Sequence, residues 1–83
     1  MRRVRVLYFA ALRESLRLGE ETLDLDDTVQ SVADLGHLLE QTRSAIAGRL
    51  GAVRFAVNEQ FVDADHVIAD GDVIALVPPV AGG

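Results

Sequence analysis

Alternating apolar and polar residues predict two strands, with a short helix between them, at the start of the chain. Residues 3–9 are rich in β-branched and aromatic side chains and predict a strand. The segment 10–16 favours a short helix that closes near Gly19. Residues 21–25 alternate polar and apolar side chains, as a half-buried second strand should. A hairpin is therefore expected at the N-terminal end.

The strongest helical pattern lies in the middle of the chain. The turn at residues 26–28 offers a side-chain oxygen that can cap a helix start. Gly36 falls within the apolar stripe, where it weakens the helix but permits close approach to a sheet. Ile46 and Leu50 indicate a second short helical piece ending near Gly51. The predicted apolar face of the main helix comprises Val29, Val32, Leu35, Gly36 and Leu39.

Three further strands are predicted in the second half of the chain, at residues 53–57, 60–62 and 73–77. Asn58-Glu59 and Asp70-Gly71 are the turn signals between them. A hairpin, one main helix and then further strands indicate the α+β class, with a mixed sheet of four or five strands. One helix cannot cover both faces of such a sheet, so the main helix packs on one face and the other stays open.

The alternation within the strands predicts what the open face presents. Val4, Val6 and Tyr8 share one face of the first strand, and Leu7 and Phe9 share the other. If the first set packs on the helix, the open face carries an apolar patch, unless a loop covers it. Such a patch is typical of a docking surface. Its predicted members are Leu7, Phe9, Phe61 and Val77.

Composition and charge narrow the possible functions. The 83 residues suit one domain with a modest core, and the absence of cysteine excludes disulfides, thiolate metal sites and thiol nucleophiles. The net charge of −5 argues against nucleic acid and anionic membranes as partners. The N-terminus lacks the apolar core of a secretory signal and no run is long enough to span a membrane, so a cytoplasmic protein is expected.

The side chains offer little for catalysis. His37 and His66 fall in different elements, so no metal site is expected. No serine has a histidine at a spacing that suggests a nucleophile and base, and no glycine-rich phosphate loop exists. We therefore expect no bound cofactor. If this chain takes part in chemistry, its reactive group is its own terminus.

The last six residues are the most suggestive part of the chain. Pro78 and Pro79 stiffen the exit from the last strand, because proline fixes φ and cannot donate to a ladder. Gly82 and Gly83 have no Cβ and can pass through a narrow channel to present a free carboxylate. A carboxylate is a poor electrophile, so a partner would have to activate it, for example as an acyl-adenylate. We expect a folded domain at 1–77 and a flexible tail at 78–83, although a merely frayed end is the alternative.

Several short motifs occur together in this chain: Val6-Leu7-Tyr8-Phe9-Ala10, Leu12-Arg13-Glu14, Thr28-Val29 at the expected helix start, Ala56-Val57-Asn58, Asp70-Gly71-Asp72, and Pro78-Pro79-Val80-Ala81-Gly82-Gly83. In this combination the chain resembles the small subunits of molybdopterin synthase, a family of ubiquitin-like β-grasp sulfur carriers. The resemblance covers essentially the whole length. It implies a β-grasp fold for the α+β domain predicted above.

The resemblance also implies a function. An ATP-dependent, E1-like enzyme would adenylate Gly83, and a sulfur donor would convert it to a thiocarboxylate. The tail would then enter the large subunit of a heterotetrameric synthase, which builds the dithiolene of molybdopterin from a pterin precursor. The catalytic groups are expected on the large subunit, which leaves this chain as the sulfur donor. The implied reactive end is Gly82 and Gly83, and the implied partner-binding residues are Leu7, Phe9, Arg13, Phe61, Val77, Pro78 and Pro79.

Other functions use the same terminal chemistry or none. A sulfur carrier for thiazole formation in thiamine synthesis shares the β-grasp and the two glycines, but is usually shorter and lacks the Phe-Ala and Pro-Pro pieces. A ubiquitin-like protein modifier would join the activated carboxyl to lysines of other proteins. A β-grasp binding module would have no terminal chemistry at all.

Overall fold

The computed structural model describes residues 1–79 of the chain, which form a five-stranded mixed sheet with its main helix on one face. The predicted α+β class and the upper strand number are therefore confirmed. Gly82 and Gly83 lie outside the described residues. The strands are β1 (Arg2–Tyr8), β2 (Glu20–Leu25), β3 (Arg54–Val57), β4 (Gln60–Val62) and β5 (Val73–Val77); the helices are α1 (Ala10–Leu16) and α2 (Val32–Thr42), followed by a 3₁₀ turn at Ser44–Ile46.

The strand order across the sheet is β2-β1-β5-β3-β4. The first and last strands of the chain are neighbours at its centre, and they run parallel with Tyr8 opposite Leu76. All other neighbouring strands are antiparallel. β1 and β5 run in the same direction. The chain therefore leaves β5 at the end of the sheet where Phe9 follows β1.

The core lies between one sheet face and α2. Val4, Val6 and Tyr8 are each at most 1% exposed, as their alternation along β1 predicts. Leu39 on α2 is 0% exposed and belongs to the same cluster. Val29, Val32 and Leu35 from the predicted apolar stripe are buried in the same cluster. The cluster also contains Val57, Ile74 and Leu76 of β3 and β5.

The main helix begins later than the sequence analysis predicted. Its N-cap is Ser31, not a residue of the 26–28 turn: the Ser31 hydroxyl accepts from the Asp34 amide, and the Asp34 carboxylate accepts from the Ser31 amide. This reciprocal pair satisfies two backbone amides at once. Asp26 instead accepts from the amide and hydroxyl of Thr28, which closes a separate turn. Val29 is buried, but it lies before the helix and not on its face.

Other elements begin or end one residue away from the predicted position, and one helical element is shorter than predicted. The first strand covers residues 2–8, so Phe9 follows it rather than ending it. The second strand starts at Glu20 and the third at Arg54. The second helical piece is only the 3₁₀ turn at Ser44–Ile46, although Ile46 and Leu50 are buried as the pattern required.

Gly36 permits a close contact between α2 and β3. A Cβ placed on it would lie 3.2 Å from Cζ of Phe55, a tighter distance than ordinary side-chain contact. The missing side chain thus lets the Phe55 ring pack against the helix. This confirms the close approach expected from a glycine in the apolar stripe.

A polar cluster ties the far end of α2 to the sheet. Arg43, which follows the helix, binds the Glu21 carboxylate through Nε and Nη2, and the Tyr8 hydroxyl donates to the same carboxylate. The guanidinium hydrogen bonds hold the pKa of Glu21 below its ordinary value, against the opposing effect of burial. Burial and the Glu21 carboxylate raise the pKa of the Tyr8 hydroxyl well above its ordinary range. The fold therefore favours an ionised Glu21 and a neutral Tyr8.

Candidate functional site: the open sheet face

A row of small and apolar residues crosses the open face of the sheet. Leu7 lies opposite Ala75, Ala75 lies opposite Ala56, and Ala56 lies opposite Phe61. These partners share a face because residues opposite one another in neighbouring strands point to the same side. The small side chains of Ala75 and Ala56 separate Leu7 from Phe61 along this row. We call this row, together with Phe9, Val73 and Val77, the open-face patch.

The patch is accessible from solvent, as predicted for its aromatic members. Phe61 is 54% exposed and Phe9 is 44% exposed, whereas Leu7 and Val77 are half-buried. Because Phe9 and Phe61 are exposed, no loop of residues 1–79 covers these two rings, and for them the alternative of a covering loop is wrong. Arg5, Asn58 and Glu59 form part of a groove with Leu7, Phe9, Val73, Ala75 and Val77.

The turn into α1 holds Phe9 at the edge of this groove. Phe9 occupies the N-cap position in an extended conformation, and its side chain makes no capping hydrogen bond. Ala10 then adopts φ 50°, in the left-handed region that residues with a Cβ enter at a cost. Such local strain is common at functional sites. The abrupt turn starts the helix directly after Phe9, while the Phe9 ring stays partly in solvent.

Charged residues flank the open-face patch on both sides. On the β1–β2 side, Arg3 Nε lies 2.8 Å from Asp24 and Arg5 Nη2 lies 2.7 Å from Glu20. The Arg3 guanidinium lowers the pKa of the Asp24 carboxyl. These pairs are exposed and contribute little to stability, but they neutralise that end of the face. On the β3–β4 side, the guanidinium of Arg54 lies 3.8 Å from the centre of the Phe61 ring.

Arg13 extends the site beyond the sheet. It is exposed on α1 and lines a second, smaller depression with Leu7, Tyr8, Phe9, Gly19 and Glu20. A Cβ on Gly19 would lie 3.4 Å from Arg13 Nε, so the bare glycine leaves room for the guanidinium beside the turn. Arg13 lies one turn after Phe9, which caps the same helix, and its backbone amide donates to the Phe9 carbonyl, so the two residues are neighbours along α1.

The tail starts at the end of β5, which is the end of the sheet where Phe9 lies. Pro78 is half-buried and Pro79 is exposed, and both follow β5 where it runs alongside β1. The sheet therefore places the start of the tail near Phe9 and Val77. Seven of the nine predicted site residues thus lie on the open face or at the end of the sheet where β1 and β5 stop. The other two are Gly82 and Gly83.

The histidines do not contribute to this face. His37 is exposed on α2, on the helix side of the sheet, and His66 is exposed in the connection between β4 and β5. Within residues 1–79, no three His, Asp or Glu side chains come close enough together to hold a metal ion. Nor does that part of the chain contain a helix with the length and hydropathy needed to cross a membrane.

Sequence reasoning did not name Arg54 or Ala56 at the patch, and it placed Val73 and Ala75 on the same face as Val77 without including them in the patch. The signal was available in the alternation itself: Phe55 and Val57 face the core, so Arg54 and Ala56 must face the other way. What the alternation could not supply was the register. Only the strand order places Arg54 opposite Val77 and brings Phe61 beside it.

Comparison with known proteins assigns the chain to a family. The sequence pattern of the ThiS family matches residues 6–83. The molybdopterin synthase sulfur carrier subunit of Mycobacterium tuberculosis is 36% identical over 86 residues, with both chains covered in full. The protein of the same name from Escherichia coli is 37% identical over 82 residues, which cover 96% of this chain and 99% of the relative.

Solved structures share the fold over nearly the whole chain. A putative molybdopterin converting factor, subunit 1, from Pyrococcus furiosus superposes with a TM-score of 0.83 at 28% identity, covering 96% of this chain and 100% of the other. A chain of the complex between subunits 1 and 2 of the molybdopterin-converting factor from Helicobacter pylori superposes with a TM-score of 0.70 at 27% identity, covering 98% and 99%. The neighbours have the ubiquitin-like β-grasp, which agrees with the five-stranded mixed sheet and its packed helix.

Proposed function

The chain belongs to the ThiS family, and on that premise we propose that it is the sulfur carrier subunit of a molybdopterin synthase. The observation that carries the proposal is full-length similarity to sulfur carrier subunits of that name, at 36% and 37% identity. The accessible open-face patch beside the start of the tail supports it, because a carrier must dock while its end reaches another active site.

In the proposed cycle the reactive group is the α-carboxylate of Gly83. This group is ionised at neutral pH, since its ordinary pKa is about 3.3–3.7. Its oxygen attacks the α-phosphorus of ATP on an E1-like adenylating enzyme, which forms an acyl-adenylate and releases pyrophosphate. A sulfur donor then delivers a sulfide-level sulfur to the acyl carbon as AMP leaves, and the terminus becomes a thiocarboxylate.

The proposed second half of the cycle takes place on the large subunit of the synthase. The thiocarboxylate is nucleophilic at neutral pH and delivers its sulfur to a pterin precursor during formation of the dithiolene of molybdopterin. This chain supplies the sulfur and its position, and the catalytic side chains belong to the large subunit. The Helicobacter pylori complex of subunits 1 and 2 supports this partner, and we propose a heterotetramer of two copies of each subunit.

In this proposal the open-face patch binds the partner and residues 78–83 serve as a flexible tail. Phe9, Phe61 and Val77 dock against the large subunit, and Leu7 extends that contact. Arg13 is the polar contact to the activating enzyme. Pro78 and Pro79 set the direction in which Gly82 and Gly83 leave the domain. An ATP-dependent cycle agrees with the cytoplasmic location expected from the sequence.

Changing the size or position of the terminus tests this function. A side chain at Gly82 should collide with a channel fitted to bare backbone, and one residue added after Gly83 moves the carboxylate by about 3.3–3.6 Å. A displacement of about 1 Å can cost on the order of 10²-fold in rate. We therefore expect Gly82→Val and a one-residue extension to remain folded but to lose ATP–pyrophosphate exchange with the adenylating enzyme.

The matched control is Gly51→Val, because Gly51 lies in open space and does not need a positive φ. It should retain normal exchange. Undiminished exchange by the extended chain would contradict the carrier function.

Intact mass spectrometry of the chain from cells separates this function from a protein modifier. An oxygen-to-sulfur exchange at Gly83 is expected for a sulfur carrier. A modifier would instead appear as an adduct with another protein. All eight basic residues of this chain are arginine, so any isopeptide bond to a lysine would involve a lysine of another chain.

A further inference from the structure

The open sheet face carries three arginines in two different electrostatic states. Arg3 and Arg5 are each paired with a carboxylate of β2, Asp24 and Glu20 respectively. Arg54, on the other side of the open-face patch, has no carboxylate within 4.0 Å among the residues from 1 to 79. The face therefore has ion-paired arginines at β1–β2 and an arginine without an ion pair within 4.0 Å at β3–β4.

The position of this charge is fixed by its neighbours. Arg54 lies opposite Val77 in the pairing of β3 with β5, and its guanidinium lies 3.8 Å from the centre of the Phe61 ring. The ring face attracts a cation and limits the rotamers of the long side chain. The guanidinium carries its N–H donors in a planar fork, which can bind both oxygens of a carboxylate.

We propose that Arg54, positioned on Phe61, binds a carboxylate side chain of the large synthase subunit and fixes the register of docking. The inference rests on the proposed function. It follows from charge complementarity: the whole chain carries a net charge of −5, so an acidic group of a partner is repelled by most of this surface. Beside the open-face patch, Arg54 is the place where such a group gains a partner. Elsewhere on this acidic chain, repulsion between like charges disfavours complexes in which the partner is shifted along the sheet face.

The test compares two variants that remove the same charge from the same sheet face. Arg54→Leu removes the cation that forms no ion pair, and Arg3→Leu removes a cation that is paired with Asp24. Both leave the same net charge, so long-range attraction changes equally in both. Binding of the large subunit is measured by calorimetry at about 50 mM and about 300 mM NaCl, between which the screening of exposed charges increases strongly.

We expect Arg54→Leu to weaken binding by about 5- to 30-fold at low salt, and by less at high salt. Arg3→Leu should stay within about twofold of the unchanged chain. Arg54→Lys keeps the charge without the planar fork and should fall between the two. Phe61→Leu in the Arg54→Leu background should cost less than in the unchanged chain, because the two residues then no longer act together. Urea unfolding of each variant separates these effects from lost stability.

Equal affinity of the Arg54→Leu and Arg3→Leu variants, or tighter binding by Arg54→Leu, would overturn the inference while leaving the carrier function intact. Failure of the unchanged chain to bind the large subunit would overturn the proposed function, and this inference with it. Sedimentation of the chain alone tests another occupant. A dimer that Arg54→Leu dissociates would show that the carboxylate comes from a second copy, and would also overturn the assignment.

Discussion

Truncation of Phe61 should weaken docking by an amount that its exposure sets. A phenylalanine buries about 200 Å² when it is fully covered. Because the ring is 54% exposed, a partner can cover roughly 100 Å² more of it. At about 25 cal/mol per Å², this area corresponds to about 2.5 kcal/mol of binding free energy. Phe61→Ala should therefore raise the Kd for the large subunit about 70-fold.

The assay is calorimetric titration of the large subunit with the Phe61→Ala chain and with a control. The control is Val67→Ala: Val67 is 66% exposed and apolar, but it lies in the connection between β4 and β5, next to Ser31. The covered half of the Phe61 ring also contributes to folding, so urea unfolding is measured alongside and binding is compared under conditions where both variants are folded. Normal affinity of the Phe61 variant, or an equal loss in the Val67 variant, would refute the docking assignment.

Three further predictions concern stability. Leu39 is 0% exposed, so Leu39→Ala should lower the free energy of unfolding in urea by about 2–5 kcal/mol; a change within about 0.5 kcal/mol would contradict its place in the core. Arg43 lowers the pKa of Glu21, so the folded state binds fewer protons than the unfolded one; this stabilisation is present above about pH 4.3 and is lost as the pH falls through the lowered pKa. Glu21→Gln should flatten that acid limb in urea midpoints recorded against pH. Glu59 has φ 73°, so Glu59→Gly should increase the free energy of unfolding by up to about 1 kcal/mol and raise the thermal midpoint accordingly. A lower midpoint would show that the turn is not strained.

The helix start shows how a signal in the sequence can be passed over. Ser31 followed three residues later by Asp34 is a capping pair, yet the acid-rich turn at residues 26–28 looks equally able to cap. Tertiary contacts decide between them. The Ile68 amide donates to the Gln30 carbonyl and Ser31 pairs with Val67, which keeps this segment extended until Val32.

The candidate site also has a part that the sequence predicts and a part that only the structure shows. The apolar character and exposure of Phe9 and Phe61 follow from strand alternation. The residues that lie beside them cannot be predicted in this way, because the distance between residues 54 and 77 depends on strand order. Arg54 therefore appears in the sequence as one more surface arginine. It becomes a candidate contact only once β3 lies between β5 and β4.

The sequence alone determined the class of fold, the buried face of the first strand and the family, because alternation, helical period and short motifs are local properties of the chain. Tertiary structure decided which strands are neighbours and which side chains share an edge. The parallel pairing of β1 with β5 places Phe9, Val77 and the start of the tail together, although Phe9 and Val77 are 68 positions apart along the chain. Such contacts depend on the free energy of the whole packed sheet, and no local pattern encodes that quantity.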